Sequence, residues 1–186
     1  QVRGVRWVKG GQSFEAKARY EVLLAAGAIN TPKILEHSGI GQPERLKALG
    51  IVPMHDLPGV GENLQDHLQI RTVFKVQGAT TLNSLARWPW GKAAIALQYL
   101  LTRSGPMSMA PSQFGMFTRS GPEIEVPDLE YHVQPLSTNR LGEALHPFPA
   151  ITVSVCNLRP TSVGHVHATS PDVYAQPEIR LNYLAT

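Results

Sequence analysis

The chain has 186 residues, 42% of them hydrophobic and 17% charged, which is ordinary for a globular protein with room for one large domain or two modest ones. Its formal charge of +3 comes from scattered Lys and Arg; only Arg3, Arg6 and Lys9 come close together, so neither a nucleic-acid surface nor an anionic-membrane surface is expected. The single cysteine, Cys156, excludes an internal disulfide, and no run approaches the ~20 apolar residues of a membrane span.

The first segment reads as β structure. VRGVRWV alternates weakly, KGGQ is a turn with adjacent glycines, and SFEAKARYEVLLAAG returns as strand material. Within it, EVLLAAG has the near-continuous apolar run of a strand covered on both faces. Thr31 then suits an N-cap and Pro32 the first position of a helix of under two turns, PKILEH, which Gly39 ends. PERLKALG repeats that grammar, with Pro43 opening, Leu46 and Leu49 on one face and Gly50 closing. The stretch IVPMHDLPGVGENLQDH is extended and turn-rich, because Pro53, Pro58, Gly59 and Gly61 exclude helix.

From Leu68 the character changes. LQIRTVFKV alternates like a half-buried strand, and Lys92 to Arg103 is the best helix in the chain, with Ile95, Ala96 and Tyr99 inward. SGPMSMAPSQFGMFTRS reads as a loop leading into a strand. DLEYHVQPL and AITVSVCNL are strands, the latter holding Cys156 as a small buried hydrophobe; GHVHATS and PEIRLNYL suggest two more. Strands with one main helix predict an α+β fold, an antiparallel or mixed sheet covered on one face by helices. A boundary between Gly61 and Leu68 divides the chain into residues 1–63 and 64–186.

The stretch Glu21 to Gly41 raises the functional question. Small residues Ala26, Gly27 and Ala28, where a strand hands over to a helix, let a ligand approach the main chain, and the helix N-terminus behind them offers free N–H groups. Close strand–helix packing without a ligand would use the same residues. GAINTPKILEHSGIG, Gly27 to Gly41, resembles the second signature of the glucose–methanol–choline (GMC) family of flavoprotein oxidoreductases. The match runs through Gly27-Ala28, Thr31-Pro32, Ile34-Leu35 and Ser38-Gly39-Ile40-Gly41. DLPGVGENLQDH, Asp56 to His67, resembles the next block at the expected distance, and PDLEYHVQP, LRPTSVGHVHATSPD and PEIRLNYL also have the family's look.

That resemblance implies FAD on a Rossmann-like domain and oxidation of an alcohol, with the hydride going to flavin N5 and a histidine taking the hydroxyl proton. Residues 1–63 would be a remnant of the FAD-binding domain, with Ala26, Gly27 and Ala28 beside the cofactor. Residues 64–186 would be an incomplete substrate-binding domain roofing the flavin. No G-x-G-x-x-G occurs in the chain, and the family's base histidine would lie beyond Thr186, so no catalytic residue is assigned. With Gln1 in place of Met and an end just after a strand-like run, the chain reads as the central piece of a longer enzyme. It is expected to be inactive alone and not to retain FAD tightly.

The resemblance places His132, in EYHVQP, toward the substrate, where it could hydrogen-bond the alcohol oxygen; a core histidine satisfied by backbone is the other reading. Gln134 shares its face by strand alternation. Gln69 stands where choline-specific relatives carry a carboxylate, and a neutral amide cannot attract a quaternary ammonium by charge. An uncharged primary alcohol is therefore expected, with choline as the alternative, and a pocket for it in the Met-rich GPMSMAPSQFGMF. A non-catalytic binding module on the same sheet is the reading from another class. The acceptor would be oxygen or a quinone-linked carrier and the location cytoplasmic, with membrane association left open. Asp66 and His67 point to opposite faces and suit structural hydrogen bonds. His165 and His167 share a face but lack a ligand set at metal spacing, so no metal is expected, and they read as an exposed pair.

Overall fold

A computed structural model describes residues 2–110, 112–140 and 142–186. In chain order its strands are β1 (Gly4–Lys9), β2 (Gln12–Lys17), β3 (Ile40–Gly41), β4 (His55–Asp56), β5 (Glu62–Leu64), β6 (Gln69–Lys75), β7 (Phe114–Thr118), β8 (Leu129–Gln134), β9 (Ala150–Asn157), β10 (Gly164–His167) and β11 (Glu178–Arg180). The α-helices are α1 (Gly27–His37), α2 (Pro43–Ala48), α3 (Leu82–Leu85) and α4 (Pro89–Thr102). The fold is α+β, with mixed sheets and few helices. It comprises two compact units, Gln1–Gln65 with Ser162–Thr186, and Asp66–Thr161. Residues 162–186 thus cluster with the first unit.

In the first unit β1 and β2 form the expected hairpin, turning at Gly10 and Gly11, both at positive φ, with Trp7 stacked on Phe14 at 5.6 Å. Beyond it, β10 is the middle strand between β5 and β11, all antiparallel, and β3 pairs β4 in parallel. Leu46, Val60, Leu64, Val166 and Ala168 form the apolar core of this unit.

Two readings of the first unit need correction. Residues 21–26 are not a strand: the backbone is irregular, Leu23 is 82% exposed, and no strand of the described residues pairs with it. A strand exists by its ladder, so an apolar run without a neighbour does not become one. The helix also starts earlier, at Gly27, and Pro32 lies inside it. Thr31 is not the N-cap; its Oγ1 instead accepts a hydrogen bond from the Ala26 amide at 3.1 Å. Gly39 does end the helix, in the left-handed conformation at φ +80°.

A polar knot lies beneath α1. Glu36 and His167 are 0% and 1% exposed, and His167 Nδ1 is 2.8 Å from Glu36 Oε1 while its Nε2 is 3.1 Å from Glu62 Oε1. The second Glu36 oxygen accepts the Ala168 amide at 2.6 Å. His167 is therefore not one of an exposed pair. Its partners arrive from α1 and β5, far away in sequence, while His165 stays half-buried near Glu178 at 3.6 Å.

The second unit is one antiparallel sheet, ordered β6-β9-β8-β7, with α3 and α4. Its central strand β9 buries Ala150, Thr152, Ser154 and Cys156, every second residue. In α4 the half-buried positions include Ile95, Ala96 and Tyr99, the inward face expected from their spacing, while Leu97, Leu100 and Leu101 are exposed. Thr81 caps the start of α3 with a capping box to Ser84. Of the Met-rich stretch, Pro111 lies outside the described residues.

Removing one member of a buried ion pair strands the other, at a cost of about 3–5 kcal/mol. His167→Ala is expected to destabilise the protein by about that amount, read from the midpoint of denaturant unfolding; an unchanged midpoint would show the knot to be dispensable.

Candidate functional site

The first candidate surface follows from the start of α1. Gly27 sits at φ +80°, a left-handed conformation that other residues rarely adopt, and turns the extended segment into the helix. A Cβ built there would meet nothing within 4 Å, so the bend opens onto free space. No side chain caps the helix, and Pro32 has no N–H to give the Ala28 carbonyl one turn earlier. Ala28 and Pro32 line an open groove of about 690 Å³ whose other apolar walls include Leu35, Leu57, Val60 and Leu64. Gly61 brings that wall close to β10: at φ +82° its missing Cβ would collide with the Val166 carbonyl, and its own carbonyl accepts the Val166 amide at 2.7 Å.

These features fit a flavin nucleotide: an uncapped helix N-terminus, bare backbone at Gly27 and an apolar groove alongside. The three predicted residues differ in what they offer. Ala28 forms the groove wall, Gly27 leaves room, and the Ala26 amide is already taken by Thr31.

Glu62 connects the groove to the knot beneath it. It lines the groove, and its Oε1 accepts from Gln42 Nε2 at 2.7 Å as well as facing His167. Burial is the largest single influence on this carboxyl and raises its pKa. Hydrogen bonds from Gln42 and His167, with the charges of His167 and His165, together outweigh it, so the pKa falls below the ordinary 4.5.

The second candidate surface is one face of the four-stranded sheet. Opposed residues of an antiparallel pair project to the same side. Gln69 opposes Cys156, which opposes Glu130; Arg71 opposes Ser154, which opposes His132; and Thr152 opposes Gln134. The register thus brings Gln69, His132 and Gln134 onto one face. His132 Nε2 lies 3.2 Å from Glu130 Oε1, both side chains being largely covered. Gln134 donates to Ser112 Oγ at 3.3 Å, while its Oε1 is buried without a partner, as is Arg71 Nη2. Gln69 is exposed.

Glu130 and Arg71 were not singled out from sequence, and Cys156 was read there only as a small buried hydrophobe. Glu130 could have been found, since it stands two residues before His132 on the same strand; Arg71 and Cys156 needed the register. The ligand-type atoms of His67, Glu130 and Cys156 lie within 4.8 Å of one another. Burial, then the Glu130 charge, raises the pKa of the Cys156 thiol, which donates to Glu130 Oε2 at 3.8 Å, so Cys156 and Glu130 form a hydrogen-bonded pair built on a protonated thiol, with His67 nearby. His67 Nε2 is 3.2 Å from the Leu158 carbonyl, a structural bond of the kind expected.

The first unit thus offers an open groove at a helix start, and the sheet of the second unit presents polar side chains on one face. Comparisons with known proteins add to this. The GMC oxidoreductase family model matches residues 1–69. Oxygen-dependent choline dehydrogenase of Chromohalobacter salexigens is 38% identical over 182 residues, covering 98% of this chain and 32% of that protein. The enzyme of the same name from Klebsiella pneumoniae is 37% identical, covering 98% and 33%. Among solved structures, a formate oxidase of Aspergillus oryzae, studied for its FAD modification, superposes with TM-score 0.89 at 27% identity, over 99% of this chain and 37% of that one. Residues 1–69 thus match the GMC oxidoreductase family, a family of FAD enzymes, and the chain spans about a third of the length of the curated relatives it matches.

Because the Glu62 pKa is depressed by folding, the stability it contributes is present above pH 4.5 and is lost as the pH falls below that value. Glu62→Gln is expected to flatten the acid side of a melting-temperature-against-pH profile while leaving its neutral side parallel to the wild type. An equally steep acid side in both proteins would rule this out.

Proposed function

We propose that the chain is part of an FAD-dependent enzyme that oxidises a primary alcohol to an aldehyde. The observation carrying this reading is the open, uncapped, side-chain-poor bend at Gly27 in a chain whose residues 1–69 match the GMC family. When bound, FAD supplies the hydride acceptor at flavin N5. Ala26, Gly27 and Ala28 would admit it: Gly27 by the absence of a side chain, Ala28 as groove wall, and Ala26 by holding the preceding segment to Thr31. Residues 1–63 would then serve the cofactor and the sheet from β6 onward the substrate.

His132 meets the alcohol oxygen. Its Nε2 is committed to Glu130, so the ring reaches the substrate through Nδ1, and donation from that nitrogen requires the doubly protonated ring. In that state it stabilises negative charge as the alkoxide forms. Gln134, with a free buried carbonyl, and Gln69 at the end of the same face orient the rest of the molecule. The family's proton-accepting histidine is assigned to no residue of this chain.

A choline substrate is the second reading, favoured by the names of the 38% and 37% identical relatives. Gln69 speaks against it, since an amide offers no countercharge to a quaternary ammonium. The same names favour oxygen over a quinone-linked carrier as acceptor. Among the described residues no helix is long and apolar enough to cross a membrane; a cytoplasmic location remains part of this proposal.

In the full-length protein, His132→Ala should slow anaerobic flavin reduction by an alcohol about 10²–10³-fold, the usual loss for one donor to a developing oxyanion. A rate within a factor of two of wild type would remove His132 from the site. The 186-residue chain alone, lacking a G-x-G-x-x-G phosphate grip, should emerge from gel filtration without a flavin absorbance band. A stoichiometric band would show that the bend and groove hold FAD unaided.

A further inference from the structure

Arg71 is the unexplained charge of the second unit. It lies mid-strand in β6, opposite Ser154, which in turn opposes His132, so it shares the substrate-facing side of the sheet on the reading above. Its Nη2 is shielded from solvent and has no acceptor among the described residues, and no ion pair to Arg71 is formed there. The carboxylate on this face, Glu130, is turned instead to the His132 ring and the Cys156 thiol. Two residues beyond His132 on the same strand and sheet face, Gln134 Oε1 is likewise buried and without a donor.

A buried guanidinium N–H without an acceptor is costly, and native proteins keep such groups where something else completes them. The guanidinium is permanently charged and forked, and its natural complement is a carboxylate taken in two parallel hydrogen bonds. Gln134 Oε1 needs the opposite, a hydroxyl or other neutral donor. A cation would be poorly received here, because Arg71 stands two residues from Gln69 on the same strand face and repels it.

From this we infer that Arg71 is a specificity-determining residue that takes the carboxylate of a hydroxycarboxylate substrate, holding the far end of the molecule while its alcohol lies at His132. The inference rests on the proposed alcohol-oxidising function and narrows its substrate class to alcohols bearing an anionic tail.

The test uses the full-length flavoprotein with 3-hydroxypropanoate and 1,3-propanediol, which differ in the tail alone. The readout is the ratio of the two kcat/KM values for flavin reduction, in wild type, Arg71→Met and Arg71→Lys. Wild type should favour the acid, Arg71→Met should lower the ratio by about 30-fold or more, and Arg71→Lys should fall between. A ratio that Arg71→Met leaves unchanged, whether or not both rates drop, overturns the inference and makes Arg71 a structural residue. A wild-type preference for the diol overturns it too. If neither compound reduces the flavin, the alcohol-oxidase reading fails on its own, and anion binding then decides for Arg71. Propanoate, at constant ionic strength, should raise the melting temperature of wild type and not of Arg71→Met, and no rise in wild type would sink the inference.

Discussion

The first unit hangs on the contact between His167 and two carboxylates. Helix α1 is amphipathic only weakly and buries one residue completely, Glu36, a charged side chain where an apolar one would be usual. That carboxylate is met by the His167 ring and the Ala168 amide, so the helix is tied to β10 by directional bonds rather than by apolar area. The other ring nitrogen reaches Glu62 on β5, beside the groove. Both nitrogens face carboxylate oxygens, so the ring donates twice or a carboxyl carries the proton. Desolvating such a set offsets much of its Coulomb gain, and its main effect is to fix geometry. What it fixes is the position of α1, and with it Ala28 and Pro32, relative to the β5 wall.

Local grammar was the legible part of the fold. The hairpin at Gly10-Gly11, the helix stop at Gly39, Pro43 opening α2 and the alternation of β8 and β9 all depend on residues within a few positions of each other. Residues 21–26 were misread because an apolar run says that a segment wants covering but not what covers it. The start of α1 was misread for a related reason. Thr31-Pro32 carries the chemistry of a helix start, yet its hydroxyl serves the incoming segment, and the turn is made by Gly27, whose positive φ leaves no mark in the sequence beyond the residue type.

The candidate site was legible by halves. Small residues at 26–28 could be recognised from the string, although the use of the Ala26 amide by Thr31 could not. On the sheet, alternation alone joins His132 with Gln134 and would have added Glu130. Gln69 and Arg71 join them only through the β6–β9–β8 register, which depends on pairings across more than eighty residues of sequence. His167 shows the limit most clearly. Its neighbour His165 and the absence of local carboxylates suggested an exposed pair, and the two glutamates that bury it lie 131 and 105 residues away.

Some departures from local rules in this chain fall together at the two candidate surfaces. A proline inside a helix, a left-handed glycine opening it and an uncapped N-terminus occur together at the groove. An unpaired guanidinium nitrogen and an unpaired amide oxygen occur together on the sheet face that carries His132. Each is a cost that packing alone does not return, whereas β9, between the strands that carry Arg71 and Gln134, alternates buried and half-buried residues without such faults. Folding tends toward consistency between local preference and tertiary environment, and sites that bind or react are where that consistency is given up. On the proposed reading, the first cluster lacks side chains where a nucleotide would lie, and the second lacks the acceptors and donors that a polar substrate would bring.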